Sequence, residues 1–275
     1  MLHVADLTLL RNDRRLEKLG NEGWITYFAV PLISKGQVQG VLEIFHRQRL
    51  LPDQDWTGFL EILAGQAAIA IENVTLFENL QRTNLDLSLA YDSTIESWAR
   101  SLDLRVEAME GHTERLIDLT LRLGQALGIA ESELVWLRRG VLLHDIGKLS
   151  IPDTILVKPG PLTEYEWQVI RKHPQYAYDL LSPIEFLRPA IDIPYCHHEK
   201  WDGTGYPRGL KGTDIPIAAR LFALVDVWDA LRSARPYRAP WTDAQAREYL
   251  RSQSGRHFDP QIVQAFIHLL SENKE

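Results

Sequence analysis

The sequence HHEKWDGTGYP, residues 197–207, places two adjacent histidines before a turn that contains two glycines and a proline. Neither a regular helix nor a strand suits this stretch, because Gly203 and Gly205 permit positive φ and Pro207 fixes its own φ. A backbone of this kind holds the side chains that it carries in defined places. A second short motif, HDIGK, occupies residues 144–148. We predict that the two motifs meet in the folded chain.

The composition is that of a soluble globular protein. The 275 residues suggest about two domains, and the net charge of −7 argues against a broad basic face for a nucleic acid polymer. The single cysteine, Cys196, excludes an internal disulfide and indicates a reducing compartment. We see no signal peptide, and the most apolar stretch, Leu60–Ile71, is shorter than a membrane span. These features predict a cytoplasmic protein without direct membrane insertion.

Residues 1–76 carry strand and helix signals. Two apolar runs, Tyr27–Ile33 and Val38–Phe45, flank a turn and predict a hairpin, and a helix is expected to follow from Pro52. The segments AVPL at 29–32, GVLEI at 40–44 and AAIAIEN at 67–73 resemble the C-terminal part of a GAF sensor domain. The region is then either a partial sensor domain or a small α/β cap without a ligand.

Residues 77–104 are predicted to form a linker helix. No proline or glycine occurs between Gln66 and Glu110, and apolar side chains recur at steps of mostly three, four or seven. This spacing is close to that of a coiled coil. We expect the linker to pair with its copy in a parallel homodimer; the alternative is an amphipathic helix packed on its own domain. The apolar positions are Phe77, Leu80, Leu87, Tyr91, Ile95, Trp98 and Leu102.

Residues 105–275 contain helix signals almost throughout. Thr163 and Glu166 form a capping box that opens a helix expected to carry His173, residues 216–231 form another helix, and Asp259-Pro260 opens the last one. No clear strand signal appears after residue 105. The fold class is therefore mainly α: an all-α domain preceded by a small α/β fragment and a long connecting helix.

Several ionisable residues in this all-α region have no simple structural explanation. Burying Asp145 or Asp226 among apolar neighbours costs several kcal/mol unless each carboxylate is paired or binds a metal. A mixture of imidazole and carboxylate ligands suits iron, manganese or zinc better than calcium. The candidate ligands are too many for one tetrahedral site and about right for two six-coordinate metals, which can activate water against a phosphodiester. They are His112, His144, Asp145, His173, His197, His198 and Asp226.

The motif at 144–148 is similar to that of HD-domain phosphohydrolases, and the stretch at 197–207 resembles the defining motif of their HD-GYP subgroup. The similarity extends over roughly residues 95–270. It implies that His112, His144, Asp145 and Asp226 hold one metal and that His173, His197 and His198 hold the second, with Asp145 bridging. A glutamate that helps some members to hold a third metal is replaced here by Ala108, and its neighbours Glu107 and Glu110 point elsewhere on a regular helix. We therefore expect two metals, with iron or manganese favoured.

The resemblance also implies roles in substrate binding and catalysis. Lys148 is expected near the scissile phosphate, as a catalytic group together with Asp145, and Tyr206 is expected to face the substrate. Arg235 and Arg238 are expected to grip phosphate oxygens, or else to form surface ion pairs.

The function implied is hydrolysis of cyclic di-GMP with a metal-bridging hydroxide as nucleophile. The implied product is linear pGpG, with slower hydrolysis on to GMP as an open alternative. Two alternatives stay open. One is hydrolysis of another substrate, such as cyclic GMP-AMP. The other is a non-catalytic module that binds a cyclic dinucleotide and signals to partner proteins.

Overall fold

The computed structural model describes residues 1–9, 13–106, 112–233 and 239–272. The predictions made for Ala108, Arg235 and Arg238 lie outside these residues. The strands are β1 (Leu2–Val4), β2 (Thr26–Ser34) and β3 (Gln37–His46). The α-helices are α1 (Arg14–Asn21), α2 (Gln54–Val106), α3 (His112–Ala126), α4 (Glu131–Leu143), α5 (Asp153–Leu156), α6 (Glu164–Ile170), α7 (His173–Leu181), α8 (Asp192–Cys196), α9 (Ile217–Arg232), α10 (Asp243–Ser252) and α11 (Pro260–Glu272). The chain divides into two compact units, residues 1–89 and 90–275.

The first unit is built on a three-stranded antiparallel sheet in the order β1-β2-β3. The predicted hairpin is present, with Ser34 paired to Gln37 across the turn. Val30 and Leu32 of β2 pack against Leu60, Ala64 and Ala68 of α2. A second cluster on Leu7, Leu16 and Tyr27 adds α1 to this core. The central strand is thus buried along most of its length, which explains why it reads as a nearly continuous apolar run.

Helix α2 is continuous over 53 residues, as expected from the lack of proline and glycine in its second half. It is also long and apolar enough to cross a membrane by length and composition, since an 18-residue window reaches a mean hydropathy of 1.3 and is 17% buried. Every residue from 73 to 87 is exposed. This stretch therefore has no packing partner within the described chain.

The second unit is helical. Its largest core gathers α3, α4, α9, α10 and α11, and Leu221, Phe222, Leu224 and Val225 of α9 are fully buried within it. A helix that is apolar on most of its circumference suits this central position. A smaller core joins Ile95 and other residues at the end of α2 to α4 and α7. Together the two cores fix α4, which leads directly into the HDIGK motif, and α9, which carries Asp226.

Two local predictions were wrong in detail. The helix opened by the capping box of Thr163 ends at Ile170, and His173 begins the separate helix α7, with Pro174 in its first turn. A proline suits this position because its missing N–H has no intrahelical acceptor there. Likewise the apolar pattern of residues 131–146 predicts one helix that includes Asp145, but α4 ends at Leu143, and Asp145 lies at the start of a 3₁₀ turn over Ile146–Ser150. Both changes place chemically important side chains at helix ends.

Candidate metal centre

The HDIGK turn packs directly against the start of α7. A Cβ on Gly147 would lie 1.9 Å from the carbonyl oxygen of His173 and 2.6 Å from the amide nitrogen of Ala177. Only glycine permits so close an approach of the two backbones. As a result, Asp145 Oδ1 lies 3.3 Å from His173 Nε2, although the two residues belong to different elements.

Three buried imidazole rings are oriented by backbone carbonyls. The Nδ1 atoms of His144, His173 and His197 lie 2.7, 2.9 and 2.9 Å from the carbonyl oxygens of Val141, Ile170 and Ile193. A carbonyl oxygen can only accept a hydrogen bond, so each Nδ1 carries the proton and donates it. When such a ring is neutral, its Nε2 atom is therefore left with a lone pair, which is the arrangement found in metal-ligating histidines.

These lone pairs face other acceptors. His173 Nε2 lies 3.3 Å from His197 Nε2, and His144 Nε2 lies 3.2 Å from Asp145 Oδ2. Acceptors held this close repel one another unless a proton or a cation lies between them. The ligand atoms of His173, His197 and His198 all lie within 4.8 Å of one another. The donor set thus fits a divalent transition metal.

The charges of the cluster favour metal binding. Burial, reinforced by the neighbouring imidazoles, holds the pKa of His197 well below its ordinary value and lowers the pKa of His198 to about 3. Burial acts to raise the pKa of Asp145, but Lys148 and His144 outweigh it and hold this pKa well below the usual range. Burial acts to lower the pKa of His144, but the neighbouring Asp145 outweighs it and raises this pKa, so His144 gives up a proton when it binds a metal. Neutral His197 and His198 beside an ionised Asp145 are already in the protonation states that a metal requires.

Asp226 behaves differently from Asp145. Burial raises the pKa of its carboxyl, and Asp145 raises it further, whereas His144 and His112 act in the opposite direction. A carboxylate next to another carboxylate in a buried site is stabilised by a bound cation. Asp226 therefore has an environment that suits a metal ligand, with His144 and His112 near enough to influence its charge.

His112 is held by a carboxylate that the sequence analysis did not select. Its Nδ1 lies 2.6 Å from Asp229 Oδ2, while Arg115 Nε donates to Asp229 Oδ1 at 2.8 Å and Ser233 Oγ donates to Oδ2 at 3.2 Å. Carboxylates that orient a ligating imidazole in this way are common around metal sites. Asp229 follows Asp226 by three residues on α9 and shares its helical face, which is the signal that could have revealed it.

Lys148 contacts the acidic centre of the cluster. Its Nζ donates a hydrogen bond of 2.5 Å to Asp145 Oδ2, the oxygen that also faces His144. The ammonium group lies within the half-buried part of the site, with 24% of its side chain exposed. This geometry keeps a positive charge beside the predicted metal positions.

The HHEKWDGTGYP stretch folds into an irregular turn, as expected. The buried carboxylate of Glu199 accepts hydrogen bonds from the amides of Arg208 and Leu210, at 2.7 and 3.0 Å. A Cβ on Gly205 would lie 2.3 Å from the amide nitrogen of Lys200, so the turn closes tightly on itself. This closure stacks the ring of Tyr206 on His198, with centroids 4.8 Å apart.

The structure brings some predicted site residues together more closely than others. His173, His197 and His198 form the tightest group, with Asp145 beside His173 and His144. Tyr206 contacts His198 by stacking instead of standing free, so part of its role is to support a candidate ligand.

Comparison with known proteins identifies the family of the chain. The family described as "HD domain" matches residues 96–262, and the one described as "GAF domain" matches residues 2–72. The first match covers more than half of the chain, which therefore belongs to the HD-domain family. Both predicted resemblances and the mainly α fold class are confirmed.

Curated relatives include enzymes of two named specificities. A 3'3'-cGAMP-specific phosphodiesterase 2 of Vibrio cholerae is 40% identical over 210 residues, covering 76% of this chain and 39% of the relative. A cyclic di-GMP phosphodiesterase response regulator of Xanthomonas campestris is 42% identical over 176 residues, covering 63% and 47%. A cyclic di-GMP phosphodiesterase of Vibrio cholerae is 30% identical over 299 residues, covering 97% and 61%. The chain thus spans between 39% and 61% of the length of these relatives.

Proposed function

We propose that the chain is a metal-dependent phosphodiesterase that opens a cyclic dinucleotide, with cyclic di-GMP as its first candidate substrate and linear pGpG as product. One observation carries the proposal. The Nε2 lone pairs of His144 and His173 face a single carboxylate, Asp145, while every Nδ1 of these rings is engaged elsewhere. Nitrogen and oxygen atoms in this arrangement can bind a cation. Membership of the HD-domain family supports a phosphohydrolase activity.

The proposed cofactor is a pair of divalent transition metals, iron or manganese. His112, His144, Asp145 and Asp226 would hold one metal, and His173, His197 and His198 would hold the other, with Asp145 shared. Neutral imidazoles mixed with carboxylates suit these metals. When bound, two such metals supply an activated water as nucleophile and stabilise the departing oxygen.

The chain's own residues would position the substrate. Lys148, held at 2.5 Å from Asp145, would balance the negative charge that develops on the phosphate. Tyr206 would form the wall of the site beside His198, and its pKa, raised to about 12 mainly by burial, keeps its hydroxyl protonated as a hydrogen-bond donor. Arg235 and Arg238 remain proposed phosphate ligands.

A second candidate substrate is 3'3'-cGAMP, because a relative that is 40% identical over 76% of this chain carries that specificity in its name. The test is hydrolysis of both cyclic dinucleotides by anaerobically purified, metal-loaded protein, followed by separation of the linear products. We expect faster turnover of cyclic di-GMP. Faster turnover of 3'3'-cGAMP would replace the first candidate by the second.

Two further measurements distinguish a catalytic site from one that only binds the nucleotide. The double variant H144A/D145A removes two proposed ligands and should abolish turnover. Persistent turnover in this variant would refute the site. Binding of cyclic di-GMP by fully metal-loaded wild type without any product would instead favour a non-catalytic signalling module.

Of the positions predicted to pair in the linker helix, Ile95 and Leu102 are instead buried, and Ile95 packs within its own unit. We propose that the exposed side of α2 nearer its start pairs with a second copy of the chain in a parallel coiled coil. The six side chains of this apolar stripe are 48% to 68% exposed and follow steps of three, four or seven. At about 100° per residue the stripe lies roughly 160° around the helix from Leu60, Ala64 and Ala68, which pack on the sheet. The same helix can therefore serve its own domain and a partner. The stripe consists of Phe59, Ile62, Ile69, Leu76, Leu80 and Leu87.

A membrane is the other environment that could cover this stripe. We favour the second copy and a cytoplasmic location, since heptad spacing leaves polar Gln66, Asn73 and Thr83 in the same seam. Light scattering and sedimentation with lipid vesicles distinguish the two. A dimer that stays out of the vesicle pellet is expected, and a monomer that sediments with vesicles would contradict the proposal.

A further inference from the structure

The side chain of Arg105, in the last turn of α2, forms hydrogen bonds with the backbone at the end of the HDIGK turn. Its Nη1 donates to the carbonyl oxygen of Leu149 at 3.0 Å and, at a longer 3.4 Å, to that of Lys148. Its Nη2 donates to the carbonyl oxygen of Ile151 at 2.9 Å, and its Nε donates to Asp153 Oδ1 at 2.9 Å. One guanidinium thus donates to three main-chain carbonyls between residues 148 and 151, where the backbone leaves the site.

The chemistry of this contact explains why arginine is present. The last carbonyls of a helical turn lack intrahelical donors, and they carry a partial negative charge. Where the 3₁₀ turn Ile146–Ser150 ends, the amide of Ile151 donates to the carbonyl of Lys148 at 3.0 Å. A planar guanidinium can donate in several directions at once, which an ammonium group on a flexible stem does less well.

The turn is thereby held on two sides. Gly147 lets its inner side lie against the backbone of His173 and Ala177, and Arg105 holds its exit. Between these two points lies Lys148, whose Nζ reaches Asp145. We propose that Arg105 is a positioning residue for Lys148 and thereby for the proposed phosphodiesterase reaction, on which this inference rests.

The exposed ion pair alone does not account for this role. Asp153 is 68% exposed, and such surface pairs contribute little. The variant D153A therefore removes the ion pair while leaving the bonds to the carbonyls. We expect turnover in D153A to stay within about twofold of wild type, so that any larger loss in R105A comes from the freed turn.

The test compares R105A and R105K with R100A. Arg100 is exposed and lies on the same helix, so R100A makes the same change of residue type away from the turn. With metal-loaded protein and cyclic di-GMP or 3'3'-cGAMP, we expect kcat of R105A to fall roughly 10- to 100-fold with KM and metal content near those of wild type. R105K should lie between R105A and wild type, and R100A should match wild type.

A double-mutant cycle shows whether Arg105 acts through Lys148. If it does, adding R105A to a K148A background should cost little more in single-turnover rate than K148A alone. Losses that multiply independently would overturn the inference, as would R105A with the kcat of R100A, or metal loss that parallels the activity loss. If R105A does not fold, an R105K kcat equal to that of R100A overturns it. Wild type without turnover would instead refute the proposed function.

Discussion

The imidazole Nδ1 of His112 lies 2.6 Å from Oδ2 of Asp229, a residue 117 positions away in sequence. The contact joins the start of α3 to the central helix α9, and because it uses Nδ1, Nε2 is the ring atom with which His112 would bind the proposed first metal. Asp229 is buried, with 5% of its side chain exposed, and it also pairs with Arg115. It therefore supports a candidate ligand from outside the ligand set.

Replacing Asp229 should weaken metal binding. In D229N the ring of His112 loses the carboxylate that orients it, so we expect metal affinity to fall about 10- to 100-fold. Metal titration of the apo protein measures this effect. D118N is the matched control, because Asp118 is 63% exposed on the same helix as His112 and pairs with Arg122 of that helix. Equal affinities of the two variants would contradict the prediction.

The same carboxyl should make stability depend on pH. Burial acts to raise its pKa, but hydrogen bonds from His112 and Arg115 outweigh it and lower the pKa from 3.8 to about 2. Ionised Asp229 therefore stabilises the folded state by about 2 kcal/mol at pH values above its pKa in the unfolded chain, neutral pH included. This stabilisation is lost as the pH falls from about 4 toward 2. In urea unfolding of metal-free protein, the deficit of D229N should be largest at pH 7 and shrink toward pH 3. A deficit that does not change with pH would show that the charge is not responsible.

The glycine of the HDIGK turn should be intolerant of substitution. A Cβ at Gly147 would collide with the backbone of α7, so G147A should lower the free energy of unfolding by about 3 kcal/mol or more and reduce the metal content. G65A is the control, since a Cβ at Gly65 meets no atom within 4 Å on helix α2. There the change should stabilise the helix by about 1 kcal/mol. Urea unfolding and metal analysis of both variants test the prediction.

The single cysteine should be inert in the folded protein. Cys196 is 2% exposed, and burial, with the charge of Asp192, raises the pKa of its thiol to about 12. Because the thiolate is the reactive form, a thiol reagent at pH 8 should label the native chain slowly and the urea-unfolded chain fully. Rapid labelling under native conditions would show that α8 opens readily.

The apolar stripe of α2 should control the oligomeric state. A charge in the seam of a coiled coil is strongly unfavourable, so L80E should yield a monomer in light scattering. Leu85 is equally exposed, at 61% against 59% for Leu80, but it lies on the opposite side of the helix. L85E should therefore remain a dimer. Loss of the dimer in both variants would point to helix destabilisation instead.

The sequence predicts the elements with strong local signals well. The hairpin around Ser34 and Gln37 and the capping box of Thr163 are both present. Strand β1 escapes notice because it has three residues and pairs only with β2. A strand this short has too little periodicity to stand out, and its pairing is a tertiary effect.

The sequence predicts which residues belong to the candidate site better than it predicts where the fold places them. Histidines and buried aspartates indicate a metal wherever they lie in the fold. The break before His173 depends on how Pro174 starts a new helix, and the role of Asp229 depends on α3 meeting α9. Arg105 gives no local signal, since its partners are main-chain oxygens whose identity does not show in the sequence.

The carbonyls of Val141, Ile170 and Ile193 come from three different helical segments, and each orients one ring through its Nδ1. The orientation of these imidazole rings is thus set by the main chain, so we expect metal binding to require little reorganisation of the polypeptide. We then expect the identity of the bound metal to depend on which metal is available and on its oxidation state, and less on a conformational change of the chain. A chelated sample should regain its ions on dialysis without refolding, with amide exchange in α4 and α8 alike before and after.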